Sequence, residues 1–518
     1  MRIYCSLKRN NTLIFRKVTM FSKQDMLRVC GFTTVAVMFV LLSSAVQAEW
    51  PQFRGVNGAG VATGKAPPVE FGPGKNEVWN TDIGSGHSSP CVVGPSIFLT
   101  AYDSESKKCQ VLSINKTNGN VRWRREIKPA KIETGHPSFN PASSTPACDG
   151  KRVVAYFGSY GLVCFTVDGE KLWELKLPLT KSYSGNATSP IIVGDRVILY
   201  RANHVDHFLL ALDIKTGKQL WKKPQAEHFT SAMSAAATPV VVGNTVIVHA
   251  VQSVKAFDIE TGTQLWQANC STTATSTPII VGDEVVIGTW NQTGEPALVP
   301  IFPPYEKLVE QNDKDGNKTI TKNEFPKLMY FHRSEGTEAP QNGAPLRFSH
   351  ADKNRNGNVE QSEWKALLNR TAAFRKRHIA HGLVAIKIKN TGNLDVTKIR
   401  YIERKGIPEV PSPIHHDGNI YLAKNGGILS CIKVKTGERV YRIRTKGTGT
   451  HYASPIIAGN HLFVTSGDGK ISVIKLGADA KILATNEMKE KTYATPAIVD
   501  GTIYIRTHSK IYAFTSKK

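Results

Sequence analysis

A Ser-Pro or Thr-Pro dipeptide returns eight times along this chain, and each copy opens an apolar run. Most of the intervals between these prolines span 39 to 56 residues, and a single one spans 135. A near-constant period of this length, filled with strand-like segments, is typical of a β-propeller. The repeats begin at Ser89, Thr145, Ser189, Thr238, Thr277, Ser412, Ser454 and Thr495.

One repeat, residues 188–222, shows what each unit contains. A glycine turn separates the first and second β-rich runs, another separates the third and fourth, and the fourth run ends at Trp221. Four short strands joined in this way predict one antiparallel blade. A tryptophan recurs at the same place in other repeats, which predicts packing between neighbouring blades. These tryptophans are Trp123, Trp173, Trp221 and Trp266.

The last repeat is incomplete, because the chain ends soon after its third run at residues 511–514. Near the start, Val78-Trp79 looks like a fourth strand that has no preceding three. We therefore expect the N-terminal strand to pair with the third run of the last repeat, which closes the ring and removes its free edges. The predicted fold is an all-β, eight-bladed propeller of four-stranded antiparallel blades.

The repeat pattern, Ser/Thr-Pro, apolar run, glycine turn, Leu-x-Ala-Leu-Asp, Thr-Gly and Leu-Trp, resembles the pyrroloquinoline-quinone-type propeller repeat. It is similar to that of exported eight-bladed proteins related to the outer-membrane assembly propeller, over roughly residues 79–291 and 381–518. The segment Trp50-Pro51-Gln52-Phe53-Arg54-Gly55 also resembles exported bacterial propellers of this class. The resemblance implies a fold more than a chemistry, because one fold hosts many functions.

The single long interval marks an insertion in the fifth blade, between its second and third strands. The second strand of a blade runs antiparallel to the first and so ends on the face where the first begins. We therefore expect the insertion, which follows the second strand, on that face. The expected organisation is a signal peptide at 1–48, an N-terminal extension at 49–78, blades 1 to 5 (first half) at 79–291, the insertion at 292–380, and blades 5 (second half) to 8 at 381–518.

The insertion contains two twelve-residue segments that resemble the calcium loops of an EF-hand pair. Both alternate acidic, amide and hydroxyl residues in the way that suits the six to eight oxygen ligands of calcium. The expected ligands in residues 313–324 (loop one) are Asp313, Asp315, Asn317, Thr319 through its carbonyl, Thr321 and Glu324. The expected ligands in residues 352–363 (loop two) are Asp352, Asn354, Asn356, Asn358, Glu360 and Glu363.

The two loops differ at their sixth position, where glycine usually makes a sharp turn. Loop two has Gly357 there, whereas loop one has Lys318. A side chain at this position strains the turn, so we expect calcium to bind more tightly to loop two. The modest number of acidic ligands in both loops predicts affinity in the weak, extracellular range.

The N-terminus predicts export. Arg28 precedes an apolar run at residues 35–42, and the small-residue pattern Val46-Gln47-Ala48 follows, the order of a secretory signal. No cysteine suggests lipid attachment at that point, and no later stretch is long and apolar enough to span a bilayer. The sequence therefore predicts a periplasmic or secreted protein without a transmembrane segment after signal cleavage.

The net charge of +24 favours anionic partners,. No basic stripe with interleaved aromatic residues is present, so we expect no nucleic-acid partner. Another exported or envelope protein, or an anionic polymer, fits better. We expect a ligand at the channel mouth, where the residues just before each Ser/Thr-Pro ring the opening. The candidates are His87, Asn186, His451, Tyr452 and Tyr493.

No catalytic constellation is evident in the sequence. Many quinone-dependent dehydrogenases carry adjacent cysteines beside the cofactor, and this chain has no Cys-Cys pair. A Gly-x-Ser-x-Gly nucleophile elbow is also missing. The expected function is a non-catalytic binding or scaffold module with calcium in the insertion and without pyrroloquinoline quinone. The alternatives are a quinone-dependent oxidoreductase with a degenerate site and a carbohydrate-binding or cell-surface protein.

Overall fold

A computed structural model describes residues 49–227, 229, 235–270, 272–290, 300–332, 343–377 and 381–516. The predicted signal peptide lies outside the described residues. Among those residues no helix is both long and apolar enough to cross a membrane.

Eight blades, each with four antiparallel strands, form the propeller, as predicted. In two of them a short fifth strand pairs parallel, Val61–Ala62 beside the first strand of blade 7 and Gly392–Leu394 beside the fourth strand of blade 4. The strands of blades 1 to 4 are Cys91–Val93, Ser96–Asp103, Lys108–Asn115 and Val121–Ile127; Ala147–Cys148, Arg152–Phe157, Gly161–Thr166 and Lys171–Lys176; Ile191–Val193, Arg196–Ala202, His207–Asp213 and Gln219–Pro224; and Val240–Val242, Thr245–Ala250, Ser253–Asp258 and Gln264–Asn269. Those of blades 5 to 8 are Ile279–Val281, Glu284–Thr289, Gly382–Lys387 and Ile399–Glu403; Ile414–His416, Asn419–Lys424, Ile428–Lys433 and Arg439–Arg444; Ile456–Ala458, His461–Thr465, Lys470–Lys475 and Lys481–Glu487; and Ala497–Val499, Thr502–Arg506, Lys510–Thr515 and Glu77–Asp82.

The N-terminal strand closes the ring as expected. Glu77–Asp82 pairs antiparallel with Lys510–Thr515, and Trp79 lies opposite Ala513. The second and third strands of a blade are buried on both faces, because the blade lies between two neighbours. The fourth strand forms the rim, where buried and exposed side chains mix, as in Val121–Ile127. This difference explains why the second and third strands have continuous apolar sequences whereas the rim strands do not.

The Ser/Thr-Pro dipeptides form a closed ring of hydrogen bonds. The backbone N–H of each Ser or Thr donates to the side-chain hydroxyl of the Ser or Thr in the next blade, at 2.9 to 3.3 Å. All eight residues are buried. The repeated dipeptide therefore supplies both the donor and the acceptor of every link.

The repeated tryptophans pack between blades, as predicted. The indole Nε1 of Trp173 donates to Ile214 O of the next blade at 2.9 Å. The ring lies against Gly217, where an added Cβ would come within 2.6 Å of it. Glycine is thus required in the Thr-Gly turn by this close approach as well as by its positive φ of 68°,. Trp79, Trp123, Trp221 and Trp266 make the same kind of hydrogen bond.

Residues 50–62 fill the axial channel, and we call them the plug. Trp50 bridges to Val92 of blade 1, the side chain of Asn57 accepts the N–H of Val241 in blade 4, and Gly60 O accepts the N–H of Ile457 in blade 7. These contacts lie on the inner edges of first strands from different sides of the ring. The plug therefore crosses the axis and closes the channel beyond the Ser/Thr-Pro ring.

The buried guanidinium of Arg54 holds the middle of the plug. Its Nη2 donates to Pro413 O of blade 6 at 2.8 Å. Gly55 has a φ of 70°, and a Cβ there would lie 2.8 Å from the Trp50 ring. The glycine allows the chain to turn tightly against the tryptophan, which is the structural role of the motif at residues 50–55.

The insertion leaves blade 5 after Thr289, and the blade resumes at Gly382, which is paired with Thr289. The carbonyl of Trp290 accepts the N–H of Thr273, in the segment that leads into blade 5, at 2.9 Å. The chain therefore enters the insertion on the face where the first strands begin. Its described helices are Tyr305–Asn312, Phe348–Ala351 and Gln361–Arg377, and its short strands are Ile320–Thr321, Met329–His332, Gly343–Pro345 and Asn358–Val359.

Candidate functional site

The open end of the channel, which we call the mouth, is lined by the residues two positions before each Ser or Thr of the ring. Their side chains are half-buried, whereas the next residue toward the ring is buried in every blade. The ring of blades therefore presents these eight side chains at the opening. They are His87, Ser143, Ala187, Ala236, Thr275, Val410, Tyr452 and Tyr493.

Four rings form a continuous row at one side of the mouth, and we call this row the aromatic wall. The centroid of Tyr493 lies 4.9 Å from that of Tyr452 and 4.9 Å from that of His87, both in edge-on contacts. His508 extends the row, with its centroid 6.1 Å from that of His87. The wall spans blades 7, 8 and 1, which come together only when the propeller closes.

His87 is neutral at physiological pH. Burial, assisted by the positive charge of Arg506 and by His508, lowers its pKa to about 3, because a desolvated imidazole next to a cation resists protonation. Its ring therefore keeps one nitrogen as an acceptor and one as a donor. Within the described part of the chain, neither nitrogen forms a hydrogen bond, so both are available to a ligand at the mouth.

Arg506 supports the wall from behind. Its guanidinium is fully buried, and Nη1 donates to Thr100 O at 2.6 Å and to Ser88 O at 3.4 Å, joining blade 8 to blade 1. No carboxylate among the described residues forms an ion pair with it. Burial lowers the pKa of Arg506 to about 9, which still leaves it charged at neutral pH.

Two of the candidate mouth residues, Asn186 and His451, lie one position earlier in the repeat and are buried. Nδ1 of His451 contacts Gly449 O at 3.0 Å, and its backbone N–H donates to the side chain of Asn425 at 2.6 Å. These two residues therefore support the loops that lead to the mouth and do not line the opening. Their burial distinguishes them from His87, Tyr452 and Tyr493.

A buried carboxylate that the sequence did not reveal lies beside Asn186. Glu133 accepts a hydrogen bond from the hydroxyl of Thr180, and its own N–H donates to Ser159 Oγ at 3.0 Å. Burial raises the pKa of Glu133 to about 7. The side chain joins loops of blades 1, 2 and 3. A lone glutamate in a loop without a repeated pattern gives no sequence signal for such a role.

In loop one the carboxylates converge. One oxygen from each of Asp313, Asp315 and Glu324 can be chosen so that all three atoms lie within 4.8 Å of one another. The hydroxyl of Thr321 and the backbone N–H groups of Lys314 and Thr321 lower the pKa of Glu324 to about 2. The loop therefore presents ionised oxygen ligands at neutral pH, which is what calcium requires.

Loop two has a similar backbone arrangement but less convergent side chains. Oε1 of Glu363 accepts the N–H groups of Lys353 and Asn354 at 2.8 and 3.1 Å. Burial opposes the ionisation of Glu363, but these donors outweigh it and lower the pKa. Oδ1 of Asp352 is buried and has no partner among the described residues. An orphaned carboxylate oxygen at the first ligand position fits a bound cation.

The two loops pair with each other, and each contains the same number of residues with positive φ. Ile320 lies opposite Val359 in a two-stranded bridge. Each loop has positive φ at its fourth and sixth positions, with one glycine and one basic residue in each. The angles are 75° at Gly316 and 63° at Lys318 in loop one, and 63° at Arg355 and 90° at Gly357 in loop two. Lys318 is strained as expected, but Arg355 gives loop two an equal strain.

The fold and its repeat define this chain as a β-propeller of the pyrroloquinoline-quinone repeat type. The family profile described as outer membrane protein assembly factor BamB matches residues 73–297 and 403–518. These ranges cover more than half of the chain, which therefore belongs to this family. A comparison with curated proteins found no significant sequence match.

Several solved structures are similar to this chain at low identity. BamB from Moraxella catarrhalis is 13% identical, with a TM-score of 0.48 over 85% of this chain and 98% of that one. A europium-containing methanol dehydrogenase is 10% identical, with a TM-score of 0.53 over 91% and 98%. The quinohemoprotein alcohol dehydrogenase from Comamonas testosteroni is 11% identical, with a TM-score of 0.54 over 93% and 82%. At these identities the last two indicate the fold alone.

Proposed function

We propose that this chain is an exported, non-catalytic binding module of the cell envelope, periplasmic or secreted, that takes its ligand or partner at the mouth. The plug carries the proposal. Because residues 50–62 fill the channel, the mouth is a shallow recess with one entrance and a row of free polar groups. Such a recess suits the recognition of an exposed ligand. Membership of an envelope assembly family and the predicted signal peptide support the location.

Native mass spectrometry of the chain purified from its own cell envelope tests this proposal. Ala236 lines the mouth opposite the aromatic wall, and Ala236→Trp fills the recess. Leu220→Trp is the matched control, because Leu220 is exposed on the rim strand of blade 3, away from the mouth. We expect a bound species with the native chain and the control but not with Ala236→Trp. An identical spectrum for all three proteins would count against binding at the mouth.

The insertion is proposed to bind one calcium ion in each loop. Asp313, Asp315 and Glu324 would provide carboxylates in loop one, and Asp352 and Glu363 would do so in loop two. A cation bound only by the folded insertion stabilises it. The ions would hold together two loops that are otherwise joined by a short bridge and by the apolar contacts of the helices that flank them.

A quinone-dependent oxidoreductase is the second candidate. The buried Glu133, whose pKa of about 7 suits a general base, favours it,. The residues do not otherwise fit the group, because the sequence has no adjacent cysteine pair and the described cysteines are all buried and free. A dye-linked assay after reconstitution with quinone and calcium separates the two candidates.

A further inference from the structure

The two sides of the mouth differ in size and chemistry. The aromatic wall occupies blades 7, 8 and 1. Across the opening, the equivalent positions of blades 2 to 4 hold the small residues Ser143, Ala187 and Ala236. The insertion leaves from blade 5, away from the wall. A ligand held at the mouth therefore makes its aromatic contacts on the side of the wall.

The wall offers both ring surfaces and hydrogen-bonding groups. In the described residues, the hydroxyls of Tyr452 and Tyr493 and the ring nitrogens of His87 and His508 have no hydrogen-bond partners. Aromatic side chains with polar tips suit ligands that have an apolar face and a polar edge. A sugar ring has this character, with C–H groups on its faces and hydroxyls around its edge.

Three exposed lysines lie in the loops that carry Tyr452 and Tyr493. Lys446 lies in the loop that enters blade 7, and Lys489 and Lys491 lie in the loop that enters blade 8. Both loops join a fourth strand to the next first strand, so they lie on the mouth face. No carboxylate of the described chain forms an ion pair with these lysines.

The nearby acids already have partners. Oε1 of Glu490 accepts the N–H of Ser509 at 2.9 Å, and Asp468 lies 3.6 Å from the ammonium of Lys470. Glu490 keeps its negative charge, but the three lysines outnumber it and leave an excess of positive charge near the wall, which attracts an anionic ligand,.

We propose that the aromatic wall and these lysines bind an acidic polysaccharide of the uronic acid type. One of the two tyrosine rings, whose planes lie 79° apart, stacks on a sugar face, and the hydroxyl of the other bonds to the edge of the sugar. His87 hydrogen-bonds a sugar hydroxyl, and the lysines meet the carboxylates. The proposal rests on the binding function proposed above and specifies its ligand class.

Calorimetry of the full chain with a galacturonic acid hexamer tests the stacking part. Tyr493 contacts two other rings of the wall, so Tyr493→Ala is expected to weaken binding at least about tenfold. Leu172→Ala is the matched control, because Leu172 is also an exposed apolar side chain but lies on the rim strand of blade 2, away from the mouth. His508→Ala, at the exposed end of the wall, gives a second reading if Tyr493→Ala fails to fold. Equal affinities for the wall variants and the control overturn the proposal.

The charge part is tested by salt dependence. Replacing both Lys489 and Lys491 by Gln is expected to weaken binding and to flatten its decline with added salt. Replacing both Lys215 and Lys218 by Gln is the control, since these lysines are exposed in the turn between the third and fourth strands of blade 3, on the opposite face. Equal salt dependence in the two double variants overturns the proposal.

Two other ligands complete the experiment. Cellohexaose, a neutral oligomer, is expected to bind more than tenfold more weakly than the uronate, and equal affinity overturns the proposal. A hexaglutamate peptide carries the same number of carboxylates without sugar rings, and tighter binding of this peptide would show that the mouth is a site for acidic peptides. Neither outcome depends on the mass spectrometry of Ala236→Trp, so the ligand class and the binding function can fail separately.

Discussion

The backbone N–H of Thr495 donates to Oγ of Ser89 at 3.1 Å, across 406 residues of sequence. This contact is the last link of the Ser/Thr-Pro ring, and it joins blade 8 to blade 1. It lies next to the wall, because Tyr493 and His87 each precede one of its partners by two residues. Closure of the propeller and assembly of the mouth therefore depend on the same junction.

We expect Ser89→Ala to destabilise the whole propeller. The change removes the acceptor of Thr495 and leaves a buried N–H without a partner, which costs about 1–3 kcal/mol. The free energy of unfolding in urea measures the loss. Ser106→Ala removes an exposed hydroxyl that bonds only locally to Asp103 and should have almost no effect. Equal stabilities of the two variants would contradict the role of the ring.

Substitutions at two glycines distinguish the cost of backbone strain from the cost of a clash between blades. Gly194 and Gly217 both have positive φ, but only a Cβ at Gly217 would meet Trp173. Gly194→Ala should cost about 1–2 kcal/mol from the left-handed conformation alone. Gly217→Ala should cost at least ~1 kcal/mol more, because the indole ring must move. Thermal unfolding of both variants checks the order, and a smaller loss at Gly217 would refute the packing argument.

The repeat allowed the fold to be predicted, because a period in the sequence becomes a period in space. The eight dipeptides fixed the number of blades, and the unpaired Val78-Trp79 indicated how the ring closes. The plug could not be predicted in this way. Residues 50–62 have no repeat, and several of their partners are backbone groups of strands far along the chain, which carry no side-chain signature.

The residues that line the mouth were harder to predict than the blades, because a shift of one position along the chain reverses the direction of a side chain. Neighbouring residues of an extended segment face opposite ways. His87, Tyr452 and Tyr493 share the half-buried position, whereas Asn186 and His451 lie one residue earlier and point into the protein. His508 and Arg506 come from a different part of the repeat, so distance from the proline could not reveal them.

The stability contributed by Glu133 should depend on pH. Burial raises its pKa from 4.5 to about 7, so the folded state holds a proton that the unfolded state releases between these values. Stability from this group is thus present below about pH 4.5 and is lost as the pH rises toward 7. Glu133→Gln should gain stability relative to the native chain by roughly 1–3 kcal/mol between pH 4.5 and 7.5.

Urea unfolding at pH 4.5, 6 and 7.5 measures this difference. Glu105→Gln, at an exposed position, provides the control and should show no such trend. His87 titrates in the opposite sense, because its lowered pKa makes acid destabilising. It is present in all the proteins compared, so its contribution cancels. A constant difference between Glu133→Gln and the native chain would contradict the assignment.

We expect no quinone-dependent dehydrogenase activity. The sequence has no adjacent cysteine pair, and the described cysteines are buried in strands or packed between blades. The test is dye-linked turnover of simple alcohols and sugars after reconstitution with pyrroloquinoline quinone and calcium. Turnover that disappears in Glu133→Gln but not in Glu105→Gln would establish the oxidoreductase in place of the binding module.

Calcium should bind more tightly to loop one, contrary to the ranking that the glycine pattern suggests. The strain at Lys318 is matched by Arg355 in loop two, so it no longer distinguishes the loops. What remains is the convergence of three carboxylates in loop one. Glu324→Gln is therefore expected to lower calcium affinity at least about tenfold more than Glu363→Gln, which is ~1.4 kcal/mol.

Calorimetry on the full chain measures both affinities, and the melting temperature of the insertion should rise with calcium in the native chain. Glu310→Gln is the matched control, because Glu310 is an exposed carboxylate on the helix that precedes loop one but lies outside both loops. It should bind calcium as the native chain does. A larger loss from Glu363→Gln would restore the ranking by glycine, and it would mean that turn geometry outweighs carboxylate convergence in this pair of loops. An absence of calcium uptake by the native chain would instead remove calcium from the function of the insertion.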